Sequence, residues 1–302
     1  EWPYHKAKVA SLPVHLLWSG DRRMEAENYL ASGYGIRMAI QEHEKGWVPL
    51  RRYAKVWQPN RLKGIVVSPE YGTPFLAATQ VFDVRPVSRK WLATEKISDA
   101  SKLFIQPGSI VVTRSGAVGR ATLATDAIKD VLVSDDLLRI EPLQDRQWGW
   151  VYAFLRSPQA KAMMSSAQYG HIIKHLETSH LDALPIPEVS DLLAKEFHQR
   201  VTEILSLRND ALALDKAAEL RFEEVIGPLN VADWGEAGYS VQASASLFAG
   251  RRRFEGFFHN PGASTVRSHL ARRAQGFTSI AEAGFDVWLP TRFKRTPASD
   301  GV

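Results

Sequence analysis

Three groupings in this chain have the residue types for chemistry. They are the acid pair Asp135-Asp136, the histidines His171, His175 and His180 with Glu177 among them, and the glycine-spaced turns Gly33-x-Gly35 and Gly116-x-x-Gly119. A nuclease needs an acid pair followed by a lysine at short spacing, and that lysine is missing. Asp135-Asp136 therefore reads as the cap of a turn at a strand start. His171 and His175 are four apart, a spacing that can hold zinc on a helix. Yet the step bridges a glycine turn and no general base lies between them. Beside Lys174, these histidines read as surface or phosphate-contacting groups. The glycine turns are too short to cradle phosphates, and no Gly-Lys-Ser/Thr follows either. A cofactor-holding glycine loop after a first strand and an Asn/Asp-Pro-Pro-aromatic element are both absent. With no cysteine, a disulfide framework, thiolate zinc and a cysteine nucleophile are excluded. No catalytic residue, cofactor or metal site is expected.

What remains is binding. Short basic loops containing glycine, serine or proline let backbone and side chains approach base edges closely. Thr113 to Arg120 is such a loop, carrying Arg114, Ser115 and Arg120; the segment after Trp57 carries Arg61 and Lys63. With Gln80, Tyr169, His171 and Lys174, and with Arg292 and Lys294 further on, these are the candidate DNA-binding residues. The nine tryptophans form no stacking platform in the sequence. They read as core and docking groups, Trp57 and Trp288 as residues that pack their loops down, with DNA contact as the alternative.

The positioning elements repeat. Gly20, Arg22, Arg23, Met24 and Glu25 align with Gly250, Arg252, Arg253, Phe254 and Glu255, an offset of 230. Val56-Trp57-x-Pro59-x-Arg61-x-Lys63 aligns with Val287-Trp288-x-Pro290-x-Arg292-x-Lys294, an offset of 231. Two gapped matches in one order at nearly one offset indicate a duplicated unit. The second copy stops at Val302, so the natural chain is expected to continue.

Between the copies, Asp191 to Ile226 reads as one long helix. Leu193, Phe197, Val201, Ile204, Leu207, Ala211, Leu214, Ala218, Phe222 and Val225 recur in steps of three or four, the seam of a coiled coil. Asp191 is the expected N-cap, and Gly227-Pro228 the stop. Such a seam needs a partner helix, which nothing else in the sequence supplies. The helix holds eight acidic and five basic residues, whereas the whole chain is net +5 with a pI near 9.3. A basic body joined to an acidic helix suits a nucleic-acid binder with a separate protein-docking element. Upstream, Arg22 to Glu44 reads as helical with a break at Gly33-Tyr34-Gly35. Ile65–Val67, Pro74–Ala77, Ser109–Thr113, Ala121–Ala124 and Val131–Ile140 read as short strands. Gln147–Leu155, Pro158–Ala167 and Glu177–Leu184 read as short helices. The class is α+β: short helices on a small irregular β-sheet, a long coiled-coil helix, then the start of a second repeat. No apolar run approaches the ~20 residues of a membrane helix and no signal segment opens the chain, so a cytoplasmic protein is expected.

Three stretches carry a resemblance. They are Gly108-Ser-Ile-Val-Val-Thr-Arg-Ser-Gly-Ala-Val-Gly-Arg120, Val133-Ser-Asp-Asp-Leu-Leu-Arg-Ile-Glu-Pro142, and Tyr169-Gly-His-Ile-Ile-Lys-His-Leu176 leading through Leu181-x-x-Leu-Pro-Ile-Pro187 into the long helix. Together they resemble the specificity (S) subunits of type I restriction–modification systems, the HsdS-like target recognition domain family. The resemblance covers essentially the whole chain, duplication included. It implies a first target recognition domain at 1–188, a spacer helix at 189–228 and a truncated second domain at 229–302. It also implies a non-catalytic subunit that binds a two-part site in double-stranded DNA. Such a subunit docks methyltransferase (modification) subunits and, where present, a motor-nuclease restriction subunit. Three alternatives stay open: the recognition region of a fused restriction–methyltransferase polypeptide, a stand-alone DNA-binding regulator or decoy, and an interaction scaffold with no DNA role.

Overall fold

The computed structural model describes residues 14, 29, 32–43, 46–143, 145–167, 175–229, 240–244 and 255–288. By its contacts the chain divides into two compact units, Glu1–Leu214 and Asp215–Val302.

In the first unit, helix α1 (Ser32–Gln41) leads into β1 (Trp47–Pro49), β2 (Ala54–Trp57), β3 (Val66–Val67), β4 (Thr73–Leu76) and β5 (Lys90–Leu92). Strands β6 (Ile110–Thr113), β7 (Ala121–Leu123), β8 (Leu132–Val133) and β9 (Leu137–Pro142) follow. Helices α2 (Asp145–Leu155), α3 (Pro158–Ala167) and α4 (Thr178–Asp182) and strand β10 (Pro185–Pro187) complete the order, and the long helix α5 (Asp191–Ile226) begins in this unit and ends in the second. Where one small irregular sheet was predicted, the described residues form three: β2-β9-β6-β7, β3-β5-β4-β8 and the pair β1-β10. The reason lies in the run 131–140. Ser134-Asp135-Asp136 interrupts it, leaving β8 in one four-stranded sheet and β9 in the other.

Strands β6 and β9 are buried on both faces, which is why they read as unbroken apolar runs. Ile110, Val112, Leu138 and Ile140 pack with Val151, Leu155, Met164, Leu176 and Leu181 from the helical layer. Val111 and Leu137 face the other way, against Leu76, Val81, Ile105, Ile128 and Val133. The first sheet is thus the middle layer between helices and the second sheet.

Gly33-Tyr34-Gly35, predicted as a break, lies inside α1, which begins at Ser32. The two glycines differ in what they meet. A Cβ on Gly33 would lie 2.2 Å from the carbonyl oxygen of Ala162 and 2.4 Å from Oγ of Ser166, so this glycine lets α1 and α3 touch backbone to backbone. A Cβ on Gly35 meets nothing within 4 Å. Opposite outcomes follow: Gly33→Ala should destabilise by about 1–3 kcal/mol through overpacking, and Gly35→Ala should stabilise by about 0.5–1 kcal/mol through helix propensity. Urea melts of both variants check the signs.

Helix α5 has the predicted bounds, with one correction. Its N-terminus is capped by Ser190, whose Oγ accepts from the amide of Leu193 at 3.3 Å, while Asp191 pairs with Arg146. At the other end Gly227 takes a φ of +77°, and its amide donates to the Glu223 carbonyl at 2.6 Å. The left-handed residue ends the helix. Ala194 and Val201 are buried against the first unit and Phe197 stacks on Trp150 at 5.0 Å. Leu207, Leu214, Phe222 and Val225 are exposed. Among the described residues no helix is long and apolar enough to cross a membrane.

The second unit holds helix α6 (Pro261–Arg273), capped by Asn260, whose Oδ1 accepts from the Gly262 amide at 2.8 Å. His269 Nε2 lies 2.9 Å from the Ile226 carbonyl. This helix adds a third correspondence to the duplication. Ile36-Arg37-x-x-Ile40 of α1 matches Val266-Arg267-x-x-Leu270 of α6, again 230 residues apart.

Candidate nucleic-acid interface

Register places the candidate loops together. Trp57 at the end of β2 pairs with Arg139, and Thr113 at the end of β6 pairs with Leu137. Val112 pairs with Ala121 at the start of β7. The segments 58–65, 114–120 and 134–136 therefore leave the same end of the middle sheet. The segment 77–87 joins them, because β4 runs parallel to β8, with Leu76 opposite Val133.

The 113–120 loop is closed by its own residues. Thr113 accepts from the Gly119 amide through its carbonyl and donates through Oγ1 to the Ala117 carbonyl at 2.5 Å. The Arg120 amide donates back to Thr113 Oγ1 at 2.9 Å. Gly116 and Gly119 take φ of +64° and +77°, a region costly for other residues. Gly119 also backs onto Met164, 3.0 Å from where its Cβ would stand.

Within this cluster the predicted residues divide by what holds them. Arg61 and Lys63 are exposed in the 58–65 segment. Arg120 is exposed and lies over the Phe82 ring at 4.6 Å, which joins the 77–87 segment to the glycine loop. Gln80 is used internally: its Oε1 accepts from the Ala77 amide at 2.8 Å and its Nε2 donates to the Val87 carbonyl at 2.7 Å. Arg114 is clamped between acids, 2.5 Å from Glu177 and 3.9 Å from Asp136, with only 21 % of its side chain exposed. That pairing directs Arg114 toward holding its loop, where the sequence suggested a reach to a base. Ser115 donates to Asp136. The acid pair also serves the turn through its backbone, the Asp136 amide donating to Ser134 Oγ at 3.2 Å.

Tyr169, His171, Lys174, Arg292 and Lys294 lie outside the described residues. The described chain resumes at His175, and the Leu176 amide donates to the Arg114 carbonyl at 2.9 Å. His180 accepts the Glu177 amide at 3.1 Å in a capping box for α4. Among the described residues no cluster of His, Cys, Asp and Glu could hold a metal.

Sequence reasoning missed two members. Phe82 gave no signal. Arg139 did: a charged residue inside Leu137-Leu-Arg-Ile140 must find partners if the strand is buried. Its exposure is 1 %. Its guanidinium donates to the carbonyls of Val133, Ser134 and Leu137 at 2.8–3.4 Å and lies 5.5 Å from the Trp57 ring centre. Burial pulls it down to about 10, opposed by Asp135 and Glu141, so it stays charged at neutral pH.

No family model and no curated protein matches this chain. Among solved structures it is similar to the HsdS subunit from Thermoanaerobacter tengcongensis, at 14 % identity and a TM-score of 0.39 over 61 % of this chain and 44 % of that one. It is similar to the type I restriction-modification system S subunit from M. genitalium, at 16 % identity and a TM-score of 0.41, over 70 % and 59 %. It is also similar to the type IIG restriction endonuclease BpuSI, at 14 % identity and a TM-score of 0.40, over 58 % and 28 %. The chain matches between 28 % and 59 % of the length of these proteins.

If Lys63 meets phosphate, Lys63→Ala should weaken binding to all duplexes alike and lower the salt slope by about 1. Affinity measured against salt concentration checks this, and a slope equal to the wild type's would remove Lys63 from the interface.

Proposed function

We propose that this chain is a non-catalytic DNA sequence-recognition subunit of a restriction–modification complex. The observation that carries the reading is the convergence of four loop segments at one end of the paired sheets, with Arg61, Lys63 and Arg120 exposed on them. On this reading those loops address one half of a two-part site, and the repeat that contains α6 belongs to a second reader. Residues 1–188 form the first recognition domain, 189–228 the spacer, and 229–302 the start of the second domain.

Helix α5 is the ruler and the protein-docking surface. Its 36 residues correspond to roughly 54 Å at 1.5 Å per residue, long enough to span half-sites about one duplex turn or more apart. Its net acidic charge opposes contact with phosphate. Its exposed apolar stripe at Leu207, Leu214, Phe222 and Val225 suits a second helix and the methyltransferase subunits of the complex. A motor-nuclease subunit would add cleavage.

The test is a deletion of four residues, about one turn or ~6 Å, in the exposed part of α5. Sites selected from randomised duplexes by the assembled complex should keep both half-sites and lose spacing between them. Altered half-sites at unchanged spacing would overturn the spacer assignment.

A further inference from the structure

Arg139 is the only charged residue among the described buried ones, and its partners lead outward to the loop cluster. We propose that Arg139 is a specificity-determining positioning residue, fixing the 58–65, 113–120 and 134–136 segments relative to one another from inside the sheet. The proposal rests on the DNA-recognition reading.

The route is continuous. One nitrogen of the guanidinium binds the Leu137 carbonyl at 2.8 Å and the other binds Val133 at 3.0 Å, while both reach Ser134 at 3.4 and 3.3 Å. These carbonyls stand on either side of the crossing between the two sheets, so the fork sets the 134–136 turn. From that turn the Asp135 carbonyl accepts from Gln58 Nε2 at 2.8 Å, which fixes the start of the 58–65 segment. Asp136 accepts from Ser115 Oγ and pairs with Arg114, which fixes the glycine loop. On its other side Arg139 meets the face of Trp57, and Trp57 Nε1 donates to Glu141 at 2.8 Å. Trp57 thus has a role beyond packing its loop down: it is the stacking surface for a buried cation. A lysine cannot replace this group. Its single ammonium lacks the planar fork that serves three carbonyls and the flat face that stacks on an indole.

The experiment uses the 302-residue chain, its Arg139→Lys and Asp136→Asn variants, and two readouts. Residue-level hydrogen exchange reports on the loops without DNA. Selection from a pool of randomised duplexes, with affinity measured against salt, reports on discrimination. Arg139→Lys should speed exchange in 58–60, 114–116 and 134–137 together. It should also reduce enrichment of the wild-type sequence roughly tenfold or more, the size of one well-placed base contact, at an unchanged salt slope because Arg139 touches no phosphate. Asp136→Asn, on a half-exposed side chain, should loosen 114–116 and leave 58–60 as in the wild type. Wild-type exchange and enrichment in Arg139→Lys would overturn the proposal. If Arg139→Lys fails to fold, Asp136→Asn decides, and unchanged exchange at 114–116 refutes the route. If the wild-type chain enriches no sequence, the DNA-recognition reading falls, and the exchange pattern still decides whether Arg139 ties the loops.

Discussion

Gly149→Ala should cost about 3 kcal/mol, at the upper end of overpacking effects. Gly149 sits in α2 where α5 crosses it. A Cβ there would lie 2.4 Å from the amide nitrogen and Cα of His198 and from the carbonyl carbon of Phe197. These are backbone atoms, so no rotamer change relieves the clash and α5 itself must shift. The neighbouring contacts resist that shift. Trp150 stacks on Phe197 and donates from Nε1 to the Pro187 carbonyl at 2.9 Å. A melting temperature lower by about 6–12 °C is expected for a unit of this size. Melting curves equal to the wild type's would show that α5 is not held by this crossing. On the proposed function the same variant should misdirect the spacer, because Gly149 lies where α5 crosses α2.

The second large effect separates the two parts of one seam. Val201 is 5 % exposed and belongs to the core of the first unit. Val201→Asp should therefore cost several kcal/mol, the penalty of a buried carboxyl group without a partner. Leu214 is 71 % exposed on the same helix, and Leu214→Glu should change the chain's own stability by no more than about 0.5 kcal/mol. On the proposed function the ranking reverses for assembly, where Leu214→Glu should prevent a partner helix from packing. Denaturant melts and co-purification with partner subunits give the two rankings. A Leu214→Glu chain that melts as early as Val201→Asp would mean that the exposed stripe is already covered.

The contrast shows how far the sequence reading reached. A seam of ten apolar positions predicts the helix and its bounds correctly, because a 3.6-residue period persists over ten turns. It cannot reveal that the first part of the seam packs on its own domain while the rest stays open, since both have one periodicity. Strands β1, β2, β5 and β10 escaped, although β3, β4 and β7 are as short and were read as strands. Gly33 and Gly35 share a composition and differ only in the helix packed beside one of them. In the candidate interface, Arg61, Lys63 and Arg120 were legible as basic residues in loops with turn-forming neighbours. The clamp on Arg114 was not, since Asp136 and Glu177 lie 22 and 63 positions away, and only the fold brings them to it. Arg139 was legible in principle, from the cost of a lone charge in an apolar strand.

The two-stranded ladder bears on the order in which the first unit assembles. Strands β1 and β10 pair Trp47 with Pro187 and Pro49 with Pro185, closing a loop of about 140 residues. Closing such a loop costs about 4 kcal/mol in chain entropy. Prolines at three of the six positions remove amide donors, so the ladder cannot meet that cost alone. It depends on contacts that require the core to exist already: the Leu50 amide on the Leu184 carbonyl at 2.9 Å and the Trp150 indole on Pro187. The middle sheet and its helices are therefore expected to condense before β1 and β10 pair, an order that φ-values at Val48 and Val112 would check.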